Sequence, residues 1–507
     1  MKMQVEGIGS WLKYRGKVTP EKEAVVEGDK RINYRDLNCR VNRAAHALQK
    51  LGVKPGDRIS IIAFNCIEFV ELIMGAAKIG AMLVPLNWRL TPYELSFILT
   101  DSGAQTIIFD PAFAKPVEEI KAKVSVKNYI SLGAESFGWA VKYEDLLAKQ
   151  PDTEPTPEKE VGLETPHLII YTAGTTGKPK GAVLSQGASF WNAVNVITPM
   201  DITSQDRNLM VVPMFHIGGI GLFTLPMLYI GGTAVITRTF DPAKALELMK
   251  KERITIFMGV PAIFLFLAQQ PDFDVLKSVR IVMSGGAPLP VNLVKLYDSK
   301  GIKLGQGFGM SEAAPSITVL SRDKYLEKAG SIGSCLMHLE TRVVDDNMKD
   351  VKPGETGELI MRGPNVLLEY WNRPDATEEA FRGGWFHSGD IARIDKDGDL
   401  YIVDRKKDMY ISGGENVYPA EVENALYELP EIAETAVIGV PDKKWGEVGK
   451  AIVVLKKDKK LSEEQILAHL KTRLAKFKVP ASVAFTDVLP RNAMQKVLKN
   501  ELRQKFA

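Results

Sequence analysis

The residues best suited to chemistry lie in a glycine- and threonine-rich segment, residues 171–181, with the sequence Tyr-Thr-Ala-Gly-Thr-Thr-Gly-Lys-Pro-Lys-Gly. The apolar run before it, residues 167–170, predicts a buried strand. Glycines let backbone N–H groups point into a concavity, and hydroxyl and ammonium groups add further donors for an oxyanion. The segment therefore predicts a phosphate-binding loop, with an exposed glycine-threonine hairpin as the alternative. It is not a Walker loop, because two residues rather than four separate its first glycine from the Gly-Lys pair.

Three later motifs could bind the rest of a nucleotide. In residues 305–312, an aromatic residue between two glycines can present its ring to a purine, and a hydroxyl beside a carboxylate can hold phosphate and Mg²⁺. Residues 283–288 predict a strand and a glycine turn, where the backbone can approach a flat ligand closely. Asp390 ends the motif 385–390, and a carboxylate is a natural bidentate acceptor for two ribose hydroxyls. Taken alone, each motif could also be an ordinary turn.

Composition excludes several classes of protein. A chain of 507 residues should form two or more domains, and hydrophobic and charged fractions of 45% and 25% are those of a soluble globular protein. A net charge of +3 over this length gives no basic footprint for nucleic acid. Three widely spaced cysteines form no metal motif or disulfide framework, which predicts a cytoplasmic protein.

One uncharged segment, Ile217 to Thr237, is long enough at 21 residues to span a bilayer. It contains five glycines and Pro226, and it lies among the candidate site motifs. We therefore expect a buried core segment, with a membrane span as the alternative. The first residues form no secretion signal, because charges interrupt them before any apolar core.

Alternating strand and helix patterns before residue 330 predict parallel α/β sheets. Residues 33–51, for example, predict an amphipathic helix that Gly52 ends. From residue 330 to 404, short β-type runs rich in glycine predict a distorted barrel. The charged cluster 404–407 marks the predicted boundary to a compact α+β unit, whose best helix begins with a capping box at Ser462. The predicted domains are residues 1–404 and residues 405–507.

In their order along the chain, these motifs resemble those of the adenylate-forming superfamily, which includes acyl-CoA synthetases, adenylation domains of peptide synthetases and luciferases. The resemblance extends from Tyr171 to Lys496 and includes the motifs 212–216, 404–408 and 413–419. It implies a large N-terminal α/β domain that binds the nucleotide and the acid. It also implies a smaller, mobile C-terminal domain that carries a catalytic lysine.

The resemblance assigns roles to individual residues. Implied catalytic residues are Lys496, His216 and Thr176, the implied Mg²⁺ ligand is Glu312, and Lys407 is the implied hinge. Gly413 and Gly414 would line a tunnel for the thiol arm of coenzyme A. The implied acyl pocket contains His216, Ile217, Met258, Val260, Gly307 and Met310. The implied ATP- and AMP-binding residues are Thr172, Gly174, Thr175, Thr176, Gly177, Lys178, Gly285, Ala287, Gly307, Phe308, Gly309, Met310, Ser311, Asp390 and Arg405.

The chain departs from the family pattern in two places. Phe308 and Ser311 stand where Tyr and Thr are usual, and both changes keep the ring and the hydroxyl. Met494 and Gln495 stand directly before the catalytic lysine, where Thr is frequent and Gly is normal. The lysine stays in register, while the backbone of its loop can differ.

The family mechanism has two half-reactions. A substrate carboxylate attacks the α-phosphorus of ATP and displaces pyrophosphate, and a thiol then attacks the acyl carbon and displaces AMP. The first step brings an anion toward a polyanion, so catalysis must depend on positioning and charge neutralisation. Between the steps, rotation about Lys407 would withdraw Lys496 and bring Gly413 and Gly414 to the site.

The expected substrate is a monocarboxylic acid with an apolar tail, fatty or aryl, and the acceptor is coenzyme A. The implied pocket is apolar or small except at His216, and no arginine stands at Gly307, where a malonate-type ligase would place one. A buried second carboxylate without a cation would be costly. Three alternatives remain: loading of a carrier-protein phosphopantetheine, a luciferase-like oxygenase, and a catalytically silent acyl or adenylate binder. A homodimer is compatible with the sequence.

Overall fold

The structure is a computed structural model that describes residues 6–172, 179–286, 289, 291–405, 410–417, 419–490, 497 and 499–506. The chain forms two compact units. The larger unit contains Met1–Trp88, Leu99–Tyr171 and Gly181–Val403, and the smaller unit contains Arg89–Ile98, Thr172–Lys180 and Asp404–Ala507. The domain bounds expected from the sequence, residues 1–404 and 405–507, stay a prediction.

Two sheets with largely parallel inner strands form the centre of the larger unit, as expected for alternating strands and helices. One has the spatial order Ser334–Cys335, Ser316–Val319, Leu304–Gly309, Ile281–Ser284, Ile256–Gly259, Arg207–Met210, Thr233–Ile236, Glu23–Glu27 and Lys30–Asn33. The other has the order Glu369–Tyr370, Lys180–Ser185, Pro166–Thr172, Met82–Pro85, Arg58–Ile62, Thr106–Phe109, Asn128–Ser131 and Val141–Lys142.

The glycine-rich region after residue 330 forms an antiparallel sheet. Its strands are Glu340–Val344, Thr356–Arg362, Trp385–Ile394, Phe381–Arg382 and Leu400–Arg405. The smaller unit has a separate sheet of Glu415–Val417, Tyr410–Ser412, Gly446–Leu455, Ile432–Asp442 and Ser482–Phe485. The mixed α/β fold class predicted from the sequence is confirmed.

Some helices begin at a capping side chain. Asn33 accepts a hydrogen bond from the backbone N–H of Asp36, and Ser462 forms the predicted capping box with Gln465. The helices are Ser10–Val18, Tyr34–Lys50, Ile67–Ile79, Pro92–Ser102, Ala114–Ile120, Tyr143–Leu147, Gln186–Ile197, Thr224–Ile230, Pro242–Lys251, Pro261–Ala268, Val291–Ser299, Pro374–Ala380, Pro419–Leu426, Glu463–Arg473 and Lys499–Phe506.

The uncharged segment from Ile217 to Thr237 is part of the core, as predicted. It forms a π-helical turn, Gly218–Leu222, the helix Thr224–Ile230 and the inner strand Thr233–Ile236, and most of its side chains are buried. Within the described residues, no helix is both long and apolar enough to cross a membrane.

His167, on the strand Pro166–Thr172, gives the fold a pH dependence. Its side chain is fully buried, and its ring nitrogens have no hydrogen-bond partner among the described residues. Burial lowers the pKa of His167 to about 3. Because the unfolded chain binds this proton at a pKa of about 6.5, the stabilising effect of neutral His167 is complete above that value. It is lost as the pH falls from there toward about 3.

Between about pH 7 and about pH 5, the wild-type protein should lose about 2 kcal/mol of folding stability through His167. His167→Phe is therefore expected to lose about 2 kcal/mol less than the wild-type protein over this range. The measurement is the midpoint of urea unfolding of both proteins across this range. A constant offset between the two proteins reflects packing alone and does not affect the comparison. Parallel pH profiles would contradict the assignment to His167.

Candidate active site

The strand Pro166–Thr172 enters the predicted phosphate loop, whose residues 173–178 lie outside the described part of the chain. The hydroxyl of Tyr171 donates to the carboxylate of Asp101 at 2.7 Å, and Arg373 donates to the other carboxylate oxygen at 2.5 Å. After the loop, a Cβ on Gly181 would lie 2.6 Å from Ile169 Cγ2. Packing within the larger unit thus fixes both the residue that enters the loop and the glycine that follows it.

The predicted purine-binding motif lies where two parallel strands end. Ile281–Ser284 and Leu304–Gly309 pair in register, with Ser284 opposite Gln306. The next two glycines of the motif are close to the backbone, since a Cβ on Gly309 would lie 2.2 Å from Pro315 O and one on Gly307 would lie 3.0 Å from Thr318 O. Phe308, between them, is partly buried. Backbone packing therefore requires glycine at 309, apart from any ligand, whereas at 307 it would only crowd a larger residue.

Glu312 lies in the short 3-10 turn Ser311–Ala313, and its side chain is largely buried. The hydroxyl of Tyr370 donates to Glu312 Oε1 at 3.0 Å, and the backbone N–H of Leu367 donates to the Glu312 carbonyl at 2.7 Å. Both the carboxylate and the backbone of the predicted Mg²⁺ ligand are thus held by the segment around the strand Glu369–Tyr370.

Asp390, the predicted ribose ligand, lies within the strand Trp385–Ile394 and is 2% exposed. Ser388 positions it: the Ser388 hydroxyl accepts from the Asp390 N–H at 3.0 Å and donates to the Leu359 carbonyl at 2.6 Å. Gly389, between them, has a φ of +72°, a left-handed conformation that favours glycine. The strand is therefore locally shaped to orient Asp390.

His216 follows the strand Arg207–Met210, and its ring lies beside that of Phe215. The chain that leads to it is held by Asn65, at the carboxyl end of the strand Arg58–Ile62. The buried Asn65 amide donates to the Val212 carbonyl at 3.0 Å and accepts from the Met214 N–H at 2.7 Å. Asn65 thus fixes the backbone directly before the implied catalytic and acyl-pocket residue.

The structure brings predicted acyl-pocket and nucleotide-binding residues together. A Cβ on Gly285 would lie 3.2 Å from Met258 Cε and 3.4 Å from Gly307 O, and a Cβ on the neighbouring Gly286 would lie 3.6 Å from Val260 Cγ1. Ile217 is buried in a core cluster against which Met310 packs. These residues come from separate strand ends along one sheet edge, where α/β folds bind ligands.

In the smaller unit, Gly413 and Gly414 form the turn between the strands Tyr410–Ser412 and Glu415–Val417. Both have left-handed backbone, with φ of +60° and +82°. A Cβ on Gly413 would lie 2.9 Å from Trp445 Cε3, and its N–H donates to the Trp445 carbonyl at 3.0 Å. Turn conformation and the indole ring therefore already require glycine at 413, and the coenzyme A tunnel stays a prediction.

Most of the remaining predicted site residues lie partly or wholly outside the described part of the chain. The side chain of Arg405 is not described, although its backbone ends the strand Leu400–Arg405. Thr172 is described, and its hydroxyl donates to the Lys180 carbonyl at 3.4 Å. The predicted residues outside the described part of the chain are Gly174, Thr175, Thr176, Gly177, Lys178, Ala287, Lys407 and Lys496.

Two protein-family models match the chain. The model described as AMP-binding enzyme matches residues 12–371. The chain belongs to the AMP-binding enzyme family. A second model, AMP-binding enzyme C-terminal domain, matches residues 421–496.

Characterised relatives of this AMP-binding enzyme match over nearly their full length. A feruloyl-CoA synthase from Amycolatopsis sp is 42% identical over 99% of this chain and 100% of its own. Long-chain-fatty-acid–CoA ligase FadD13 from Mycobacterium tuberculosis is 40% identical, with 99% of each chain covered. A solved o-succinylbenzoate CoA synthetase from Bacillus subtilis, bound to a product analogue, is 33% identical with a TM-score of 0.88 over 98% of each chain.

The predictions of superfamily, fold class and reaction class are confirmed for this AMP-binding enzyme. It is an acyl-CoA synthetase, an acid–thiol ligase that works through an acyl-adenylate. The roles predicted for individual residues stay predictions.

Three side chains that position the site were not predicted from the sequence: Asn65, Tyr370 and Ser388. Asn65 could have been suspected, because a polar residue at the carboxyl end of a parallel strand often faces a ligand site. Tyr370 lies 58 residues from Glu312 in the sequence, and no local sequence pattern predicts a contact between them.

Proposed function

We propose that this AMP-binding enzyme joins an apolar monocarboxylic acid, fatty or aryl, to coenzyme A, with ATP converted to AMP and pyrophosphate. The observation that carries the proposal is the position of Met258 and Val260, whose side chains would lie 3.2 and 3.6 Å from a Cβ added at Gly285 and Gly286. Apolar side chains and small residues thus adjoin the nucleotide motif where the carboxyl group would react. The relatives named for feruloyl and long-chain fatty substrates support both acid classes.

The residues of this chain contribute mainly positioning and charge. The ring of Phe308 would lie against adenine, and Asp390 would accept hydrogen bonds from both ribose hydroxyls. Thr175, Thr176 and Lys178 would hold the departing pyrophosphate. In the first step a carboxylate oxygen bonds to the α-phosphorus as the bond to pyrophosphate breaks. In the second, a thiolate bonds to the acyl carbon and AMP leaves.

Glu312 is the proposed protein ligand of Mg²⁺. Among the described residues no group of three or more His, Cys, Asp or Glu side chains could hold a metal by itself. A single buried carboxylate fits Mg²⁺, which usually binds one or two carboxylates together with phosphates and water. When bound, Mg²⁺ would offset the negative charge of the phosphates.

Tyr370→Phe is expected to raise the Mg²⁺ concentration for half-maximal activity about tenfold, because the hydroxyl that orients the Glu312 carboxylate is lost. The measurement is pyrophosphate exchange as a function of Mg²⁺. Tyr401→Phe is the matched control, since Tyr401 donates to Asp395, a carboxylate with no predicted role in catalysis. An unchanged Mg²⁺ requirement in Tyr370→Phe would count against Glu312 as the ligand.

Pyrophosphate exchange with a panel of acids tests the proposed function. Exchange with fatty or aryl monocarboxylic acids, and its absence with dicarboxylic acids, is the expected result. Release of AMP that depends on coenzyme A then separates this acceptor from a carrier protein. A chain that binds adenylate but exchanges with no acid would instead be a silent binder.

We also propose that the enzyme is cytoplasmic. Cys39, Cys66 and Cys335 are all free thiols, as a reducing compartment would keep them.

A further inference from the structure

Asn192, on the helix Gln186–Ile197, joins two segments of the candidate site. Its side chain is fully buried. The Asn192 amide donates to the Gly221 carbonyl at 2.6 Å and accepts from the Ser316 N–H at 3.0 Å. Gly221 belongs to the π-helical turn that follows the acyl-pocket residues His216 and Ile217, whereas Ser316 follows the Mg²⁺ ligand candidate by four positions.

The same two segments also touch directly. A Cβ on Gly221 would lie 2.5 Å from the Ala314 carbonyl oxygen and 2.7 Å from Pro315 Cδ. Since backbone packs against backbone here, neither segment can shift far without the other. Asn365 holds the second of these segments in place, because its buried amide donates to the carbonyls of Ala313 and Ser316 at 2.8 and 2.9 Å.

A buried amide that is bonded to both a carbonyl and an N–H holds these two backbone groups at a fixed separation. Losing either hydrogen bond would leave a buried polar group unpaired. We propose that Asn192 is a positioning residue that couples the acyl-binding segment, residues 216–222, to the nucleotide-binding segment, residues 305–316. Through this coupling, acid and ATP would bind cooperatively. The inference rests on the proposed function. By linkage, the acid should raise nucleotide affinity by the same factor by which nucleotide raises acid affinity.

The test measures this factor with α,β-methylene-ATP and Mg²⁺, with and without octanoate or cinnamate, by titration calorimetry. In the wild-type protein, at least one acid is expected to raise nucleotide affinity about fivefold or more. In Asn192→Ala the factor should fall close to one. The two affinities measured separately should change much less, which a merely destabilised protein would not reproduce.

Asn195→Ala is the matched control. Asn195 lies on the same helix, is equally buried, and accepts from the N–H of His338, a residue of neither segment, at 3.1 Å. It should lose comparable thermal stability and keep the coupling factor. Gly221→Ala changes the direct contact between the two segments and leaves Asn192 intact. It should also lower the coupling factor.

The outcomes separate the two proposals. A wild-type protein that exchanges pyrophosphate with no acid overturns the proposed function. A wild-type protein that exchanges but shows no coupling overturns the inference alone. So does an Asn192→Ala protein whose coupling factor equals that of Asn195→Ala.

Discussion

Replacing Lys496 by alanine is expected to slow formation of the acyl-adenylate at least about a hundredfold, since a positioned charge in a dry site contributes a few kcal/mol. The ammonium group would lie between the attacking carboxylate and the α-phosphate, where two anions must meet. Formation of the thioester from preformed acyl-adenylate should remain nearly unchanged, because in the proposed mechanism the thiol would enter only after this lysine has left.

The two half-reactions can be measured separately. Pyrophosphate exchange reports the first, and single-turnover transfer from synthetic acyl-adenylate to coenzyme A reports the second. Lys499→Ala is a suitable control, because Lys499 lies three residues further along and forms an ion pair with Glu423 at 2.7 Å. Equal losses in both half-reactions would show that Lys496 does not have the proposed role.

Met494 and Gln495, the unusual residues before Lys496, lie with it outside the described part of the chain. The family model of the C-terminal domain matches through residue 496 and thus includes this lysine. Lys496 therefore stays the proposed catalytic lysine. If Lys496→Ala slows only the first half-reaction, the ammonium group of Lys496 reaches the reacting groups in spite of Met494 and Gln495.

Local patterns predicted most of the fold. The helix Tyr34–Lys50 lies within one residue of its predicted range, and the capping box at Ser462 forms as expected. Such features depend on side-chain spacing and on caps within a few residues. For the same reason, the site motifs could be placed at strand ends before any coordinates.

The supporting contacts of the site could not be predicted, because they join distant parts of the chain. Asn192 and Ser316 are separated by 124 positions, and Asn65 and Met214 by 149. Glycines were also explained too narrowly. Gly413 was assigned to a tunnel by its family motif, whereas its contact with Trp445 depends on a residue far along the chain.

Among these substitutions, Lys478→Met should cause the largest loss in the free energy of unfolding. In the smaller unit, its buried ammonium group donates to Glu421 at 2.7 Å and to Glu94 at 2.9 Å, and both carboxylates are buried. Burial alone would lower the pKa of Lys478, but the two carboxylates raise it above its ordinary value. Without the lysine, two buried charges lose their partner, which typically costs about 3–5 kcal/mol.

The pH dependence of this loss distinguishes buried charge from lost packing. Burial raises the pKa of Glu421 even beside Lys478, so in Lys478→Met this carboxyl should take up a proton more readily still. The deficit in urea unfolding should therefore be largest at about pH 8 and shrink as the pH falls and Glu421 becomes neutral. Lys471→Met is the control, since Lys471 is exposed on the helix Glu463–Arg473, and it should change stability by less than about 0.5 kcal/mol.

Adding Glu421→Gln and Glu94→Gln to Lys478→Met should restore part of the lost stability, since neutral groups carry no unpaired charge. A deficit that is independent of pH would mean that packing, rather than the buried ion cluster, accounts for the effect of Lys478.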